Sequence, residues 1–285
     1  MRNSQKNGKG EDVGASSIRE ASLRASDGPI GVFDSGVGGL TVFREVARAL
    51  PREPLVYLGD SARVPYGTKS PETIVRYSLE AAHHLMSLGV KMLVVACNTA
   101  TAAALPILRE TLSIPVIGVV EPGARAAVER TSGVVGVIAT EGTVRSKAYT
   151  RAIHALDPDI EVIESAAPLF VPLAEEGWAN THVAREVAEI YLEPLIDAGI
   201  DTLVLGCTHY PILRGTIELV VGDSVYIVDS AETTAELVKL TLGPSKGVTD
   251  PIHHFLVTDA EERFRRIAGE FLEREISFLE LISLP

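Results

Sequence analysis

The stretch LMSLGVKMLVVACNT (85–99) aligns without gaps on LIDAGIDTLVLGCTH (195–209), with Leu, Gly, Leu, Val and Cys identical at matched positions. In both copies an amphipathic segment ends near a Gly, and a short apolar run then leads into a cysteine. A glycine that stops a helix, followed by four or five apolar residues, is the pattern of a helix returning into a buried strand. Duplication of such a unit constrains the chain to two related α/β lobes, each carrying one cysteine at the C-terminal end of a strand. A weaker echo lies upstream, where GVFDS (31–35) matches GVIAT (136–140). The two offsets differ (195 against 85, and 136 against 31), so the loops between matched segments differ in length.

The rest of the chain fits this frame. Short apolar runs alternate with longer amphipathic stretches, which is the pattern of βαβ units around a parallel sheet. Strands are predicted at 29–33, 54–58, 92–96, 114–119, 133–139, 160–164, 202–206 and 225–229. A helix is expected over SPETIVRYSLEAAHHLMSLG, with Ser70 as N-cap, Pro71 at the first helical position, Glu72 in the first turn and Gly89 as the stop. The expected fold is α/β, with two pseudo-symmetric lobes, each a mostly parallel sheet flanked by helices, and the active site in the cleft between them. Residues 28–124 plus 231–285 are assigned to lobe 1 and residues 125–230 to lobe 2.

The first 27 residues are polar, rich in Gly and Ser, and lack the apolar core of a signal peptide; they read as a mobile N-terminal tail. No later segment reaches the roughly 18 uninterrupted apolar residues of a membrane helix. A formal net charge of -12 argues against general affinity for nucleic acid or for anionic membranes, so the expected partner is a small molecule. The expected location is the cytoplasm, where thiols stay reduced.

Cys97 and Cys207 are the only cysteines in the chain. Either alone could be inert packing. Both, however, are followed by polar side chains, Asn98 and Thr99 in one case and Thr208 and His209 in the other, where a core strand would simply continue apolar. Two thiols across a cleft suggest a disulfide couple, part of a metal site, or a pair of acid/base groups. No C-x-x-C redox spacing occurs. Zinc could in principle draw on Cys97, Cys207, His209 and an acid, but the close ligand spacing is missing. An acid/base pair fits the symmetry better, since each lobe would bring one group to one face of a substrate.

Other stretches are ambiguous alone. FDSGVGGL (33–40) follows a strand and precedes a helix; it lacks the full phosphate-loop spacing, although its glycines expose backbone N–H groups that suit a carboxylate. Asp34 there has a plain alternative role as a helix cap. Pro65, Tyr66 and Gly67 lie in a turn. Glu175 and Glu176 end an apolar stretch, and His83, His84, His253, His254 and Trp178 carry no assignment.

Taken in order, GVFDSGVGGLTV, PYG, ACNTAT, PLFVPLAEEG and GCTHYP resemble glutamate racemase, of the cofactor-independent aspartate/glutamate racemase superfamily. The likeness runs from about residue 29 onward and weakens in the C-terminal part. It implies that Cys97 and Cys207 are the two catalytic bases, that Asp34 assists Cys97, and that His209 with Glu175, favoured by position over Glu176, assists Cys207. It further implies that Ser35, Pro65, Tyr66, Gly67, Asn98, Thr99, Thr140 and Thr208 hold the substrate. No cofactor and no metal are implied. The implied partner is glutamate, with peptidoglycan synthesis as the use of the product, a homodimer as the assembly and a cell-wall precursor as a regulator.

The implied chemistry is physically coherent. Inverting Cα requires a thiolate on one face and a thiol on the other. The carbanion needs dipoles aimed at the α-carboxylate, and water must be excluded while it exists.

Overall fold

A computed structural model describes residues 28–244 and 247–285; the predicted tail at 1–27 lies outside the described residues. The first half runs β1 (Ile30–Asp34), α1 (Leu40–Ala49), β2 (Leu55–Gly59), α2 (Pro71–Ser87), β3 (Met92–Val95), α3 (Asn98–Thr111), β4 (Val116–Gly118) and α4 (Val120–Arg130). Next come β5 (Val134–Ala139), α5 (Glu141–Ser146), α6 (Ala148–His154), β6 (Glu161–Ala166), α7 (Phe170–Glu175), α8 (His182–Asp197), β7 (Thr202–Gly206), α9 (Arg214–Val221) and β8 (Tyr226–Asp229). The chain closes with α10 (Ser230–Leu242), β9 (His254–Val257), α11 (Glu261–Leu272) and β10 (Leu279–Leu281).

Two sheets result. One has the order β10-β9-β2-β1-β3-β4 and the other β6-β5-β7-β8, and every strand pair is parallel. The order β2-β1-β3-β4 in the first sheet is repeated strand for strand as β6-β5-β7-β8 in the second, which is the structural form of the sequence repeat. The duplication extends to a packing detail. A Cβ added at Gly31 in β1 would meet Val90 at 3.1 Å, and one added at Gly136 in β5 would meet Ile200 at 2.9 Å. Val90 and Ile200 occupy matched positions of the repeat. In both lobes a glycine makes room for the residue that leads into the cysteine strand.

All eight predicted strands are present, with ends shifted by at most two residues. Strands β1, β2, β3 and β7 are buried at every position, as expected where helices cover both faces of a parallel sheet. The helix expected between Ser70 and Gly89 is α2, Pro71–Ser87. Ser70 accepts from the Thr73 N–H at 3.4 Å, Pro71 begins the helix, and Gly89 has a φ of +78° just past its end.

Two strands were not anticipated. β9 is a four-residue run beginning with His254, and β10 is a partly exposed edge strand. Neither gives the continuous apolar signal of a buried strand. Both join the first sheet, β9 pairing with β2 and β10 with β9. Helices α10 and α11 both pack on α1. Among the described residues no helix is long and apolar enough to cross a membrane.

Candidate active site

The two cysteines end equivalent strands, as the repeat demands, but the chain continues differently after each. Cys97 follows β3 and is the N-cap of α3, its Sγ accepting from the Ala100 N–H at 3.4 Å. Cys207 follows β7 and leads into a short 3₁₀ turn, Tyr210–Leu213, with His209 at its start. Both thiols are free, and their residues are only 6% and 5% exposed.

Around Cys97 the β1 end contributes Ser35, whose Oγ lies 3.6 Å from Cys97 Sγ. Asp34 is buried in the same turn, its Oδ2 accepting from the Gly36 N–H at 2.9 Å, while its Oδ1 has no partner among the described residues. The Tyr57 hydroxyl closes this turn by donating to the Gly36 carbonyl at 2.7 Å. Burial pushes the Asp34 carboxyl up, against the opposing pull of the His209 charge and the Gly36 N–H. Burial, together with the Asp34 charge, pushes the Cys97 thiol up to about 12, and the charge of Cys207 adds to the rise. The two sulfurs therefore share one electrostatic environment, and Cys97 is held as a thiol.

Around Cys207 the polar groups form a line. His209 Nδ1 lies 3.8 Å from Cys207 Sγ, His209 Nε2 lies 3.0 Å from Glu175 Oε1, and the Arg263 guanidinium donates to Glu175 Oε2 at 2.9 Å. Burial alone would lower the His209 pKa, but the hydrogen bonds to Cys207 and Glu175 and their charges override it and raise the imidazole to about 10. Glu175 is held below the usual carboxylate range because His209 and Arg263 outweigh its partial burial. At neutral pH an imidazolium thus stands against Cys207 Sγ, placing positive charge where a thiolate would form. Helix α7 delivers Glu175 because Phe170 packs edge-on against Tyr210, with centroids 5.3 Å apart, and the Tyr210 hydroxyl donates to the Ala167 carbonyl at 2.8 Å. Glu176 is exposed and reaches Arg263 at 3.1 Å.

The remaining residues form the seam between the lobes. Thr99 and Thr140 place their Oγ1 atoms 2.9 Å apart, and Thr143 joins them at 3.0 Å from Thr140. The Tyr149 hydroxyl donates to Asn98 Oδ1 at 2.7 Å, while Asn98 Nδ2 is buried without a partner among the described residues. Gly67 abuts the opposite lobe, since a Cβ there would come within 3.0 Å of Thr140 Cβ. Tyr66 is buried and its hydroxyl donates to the Asp60 carboxylate. Pro65, after a cis peptide, is exposed. Thr208 is buried, and a Cβ added at Gly38 would lie 2.4 Å from its Oγ1.

Apart from exposed Pro65, the predicted site residues converge on this seam. Thr41, Tyr57, Thr143, Tyr149, Arg263 and Phe271 also belong to it, although the sequence reading did not single them out. Only Thr143 carried a local signal, three residues after the helix-capping Thr140. Among the described residues no group of three or more His, Cys, Asp or Glu side chains is arranged to hold a metal ion.

This arrangement has close relatives. The family model for Asp/Glu/Hydantoin racemase matches residues 30–238. A glutamate racemase of Geobacter metallireducens is 54% identical over 261 residues, covering 90% of this chain and 96% of the relative. A glutamate racemase isoform from Bacillus anthracis has a crystal structure that superposes with a TM-score of 0.86 at 42% identity, covering 90% of this chain and 98% of that one. The glutamate racemase of Francisella tularensis, solved in complex with D-glutamate, gives a TM-score of 0.84 at 38% identity with the same coverage. The chain belongs to the Asp/Glu/Hydantoin racemase family and, within it, stands among the glutamate racemases, which are isomerases.

Proposed function

We propose that this chain interconverts L- and D-glutamate by a two-base 1,1-proton transfer between Cys97 and Cys207, with no added cofactor. The observation that carries the reading is the buried pair of sulfurs at the ends of equivalent strands, each with its own polar partners. One sulfur, as thiolate, removes the α-proton from one face of the substrate. The electron pair left behind spreads into the α-carboxylate. The opposite thiol then delivers its proton to the other face. Each turnover moves one proton from sulfur to sulfur through the substrate, so the enzyme ends with its two protonation states exchanged.

The surroundings fit these demands. His209 with Glu175 stabilises charge at Cys207, and Asp34 is the carboxyl nearest in role to Cys97. The hydroxyls of Ser35, Thr99, Thr140 and Thr208, the turn at Pro65, Tyr66 and Gly67, and the α3 N-terminus at Asn98 would receive the substrate's charged groups. Asp34 Oδ1 and Asn98 Nδ2, an acceptor and a donor buried without partners among the described residues, remain available for its ammonium and carboxylate. Burial of both sulfurs keeps water from the carbanion.

The wider reading has the chain divided into lobe 1 (28–124 plus 231–285) and lobe 2 (125–230), which puts the crossings in α4 and at the start of α10. It is a cytoplasmic homodimer supplying D-glutamate for peptidoglycan, with regulation by a cell-wall precursor. Circular dichroism on L- and D-glutamate, without added cofactor and with L-aspartate as comparison, tests the activity. Both enantiomers should be racemised, and Cys97→Ser and Cys207→Ser should each lose turnover while remaining folded. An inactive parent protein, or full activity in either serine variant, overturns the proposal.

A further inference from the structure

Helix α11 lies 54 residues beyond Cys207 in sequence (261 against 207), yet it meets the Cys207 side of the site at two points. The Arg263 guanidinium donates to Glu175 Oε2 at 2.9 Å, while Glu175 Oε1 is 3.0 Å from His209 Nε2. About two turns further along the helix, the Phe271 ring stands edge-on to the imidazole, with centroids 5.5 Å apart and planes at 82°. On another side the imidazole abuts Gly38, where a Cβ would lie 2.4 Å from Cε1. The imidazole is thus held by Gly38, Phe271 and Glu175, and its Nδ1 is directed to Cys207.

Of these supports, the Glu175 carboxylate is the least fixed by packing. It ends a six-residue helix and its side chain is 19% exposed. A carboxylate at the end of a short helix has several rotamers, and bridging it to a second cation selects one. We propose that Arg263 is a positioning residue for proton transfer at Cys207: by holding Glu175 on His209 it fixes the imidazole against that sulfur and has no comparable role at Cys97. Resting on the two-cysteine reading above, the inference adds an asymmetry to it, since among the described residues no arginine bonds Asp34 or Ser35, which meet the Gly36 N–H and Cys97 Sγ instead.

The test separates a positioning role from a general loss of stability. For a racemase the equilibrium constant is one, so kcat/KM must fall equally for L- and D-glutamate whichever side is damaged. A one-sided defect is visible in isotope effects. Slowing transfer at one sulfur makes that step more rate-limiting, so the effect grows for the α-deuterated enantiomer whose proton goes to that sulfur and shrinks for the other.

With Arg263→Ala, kcat/KM should fall roughly five- to tenfold in both directions, as expected for a half-exposed charge acting through a partly buried partner. The isotope effects on α-deuterated L- and D-glutamate should move apart. Arg263→Lys should restore most of the rate and bring them back together. The inference is overturned if Arg263→Ala keeps the parent rate, or if it loses rate while the two isotope effects stay as in the parent or move together. Racemisation by the parent protein is measured in the same assay, so failure of the two-cysteine reading is distinguished from failure of the role given to Arg263.

Discussion

The Thr41 hydroxyl on α1 donates to the backbone carbonyl of Thr208 at 2.9 Å, with both residues buried. This bond joins the helix that follows the Asp34 turn to the residue after Cys207, and so ties the Asp34 turn to the loop that carries His209. Thr41→Val keeps the shape and removes the donor, leaving a buried carbonyl unpaired at a cost of about 1–3 kcal/mol. Urea unfolding should report that loss, together with a lower kcat. Unchanged stability would mean that the bond contributes nothing to the seam.

Gly38 has no room for a side chain. Its added Cβ would lie 2.4 Å from His209 Cε1 and from Thr208 Oγ1. The imidazole cannot retreat freely, because Phe271 and Glu175 hold it. Gly38→Ala should therefore cost roughly 1–3 kcal/mol of stability by overpacking and about a hundredfold in kcat through displacement of the ring. Thermal melting and racemase assays on one preparation check both.

Adjacent glutamates should behave differently. Glu175 bonds His209, whereas Glu176 is exposed and pairs with the half-exposed Arg263. Glu175→Gln weakens a charge-assisted bond worth about 1.5–3 kcal/mol, so kcat/KM should drop roughly ten- to a hundredfold. Glu176→Gln should stay within about twofold. A reversed order would reassign the partner of His209.

Stability should decline on the alkaline side in two stages. The His209 pKa of about 10 in the folded chain lies above its ordinary 6.5, so the folded state binds that proton more tightly. Its contribution is complete below pH 6.5 and is lost as pH rises through 10. Cys97, raised from 9.0 to about 12, adds a loss of the same sign between those values. Glu175, held below 4.5, acts oppositely, its contribution being present above that value and lost as pH falls. Melting temperatures across pH 6–10 should fall steadily, and His209→Asn should flatten the part between 6.5 and 9. A parent curve that is level over this range would contradict the protonated His209.

The sheets were legible because strands buried on both faces, such as the VVGVIA of β5 and the MLVV of β3, leave continuous apolar stretches that turn residues bound. β9 and β10 lack that signature. The MLVV of β3 has its counterpart in the TLVLG of β7, and duplication made the cysteines informative where one alone would not be. The seam was legible through short local motifs: Asp34 with Ser35, Cys97 with Asn98 and Thr99, and Thr208 with His209 are neighbours in sequence. Arg263 and Phe271 were not, because Arg263 meets Glu175 across 88 residues and nothing local marks an arginine on an amphipathic helix as the one that reaches a site. The difference between Glu175 and Glu176 is likewise a matter of helix phase, which fixes only one of two adjacent side chains on the inner face.

The late arrival of β9 and β10 also sets an order of assembly. Strands β5 to β8 occupy one unbroken stretch of chain, so their sheet can form while synthesis continues, whereas the larger sheet stays open at β2 until β9 and β10 emerge. A ribosome-bound chain that has not yet reached β9 would hold both sulfurs but neither the closing edge nor α11. The Arg263–Glu175 bond and the pairing of β9 on β2 therefore form only after both sulfurs have been synthesised.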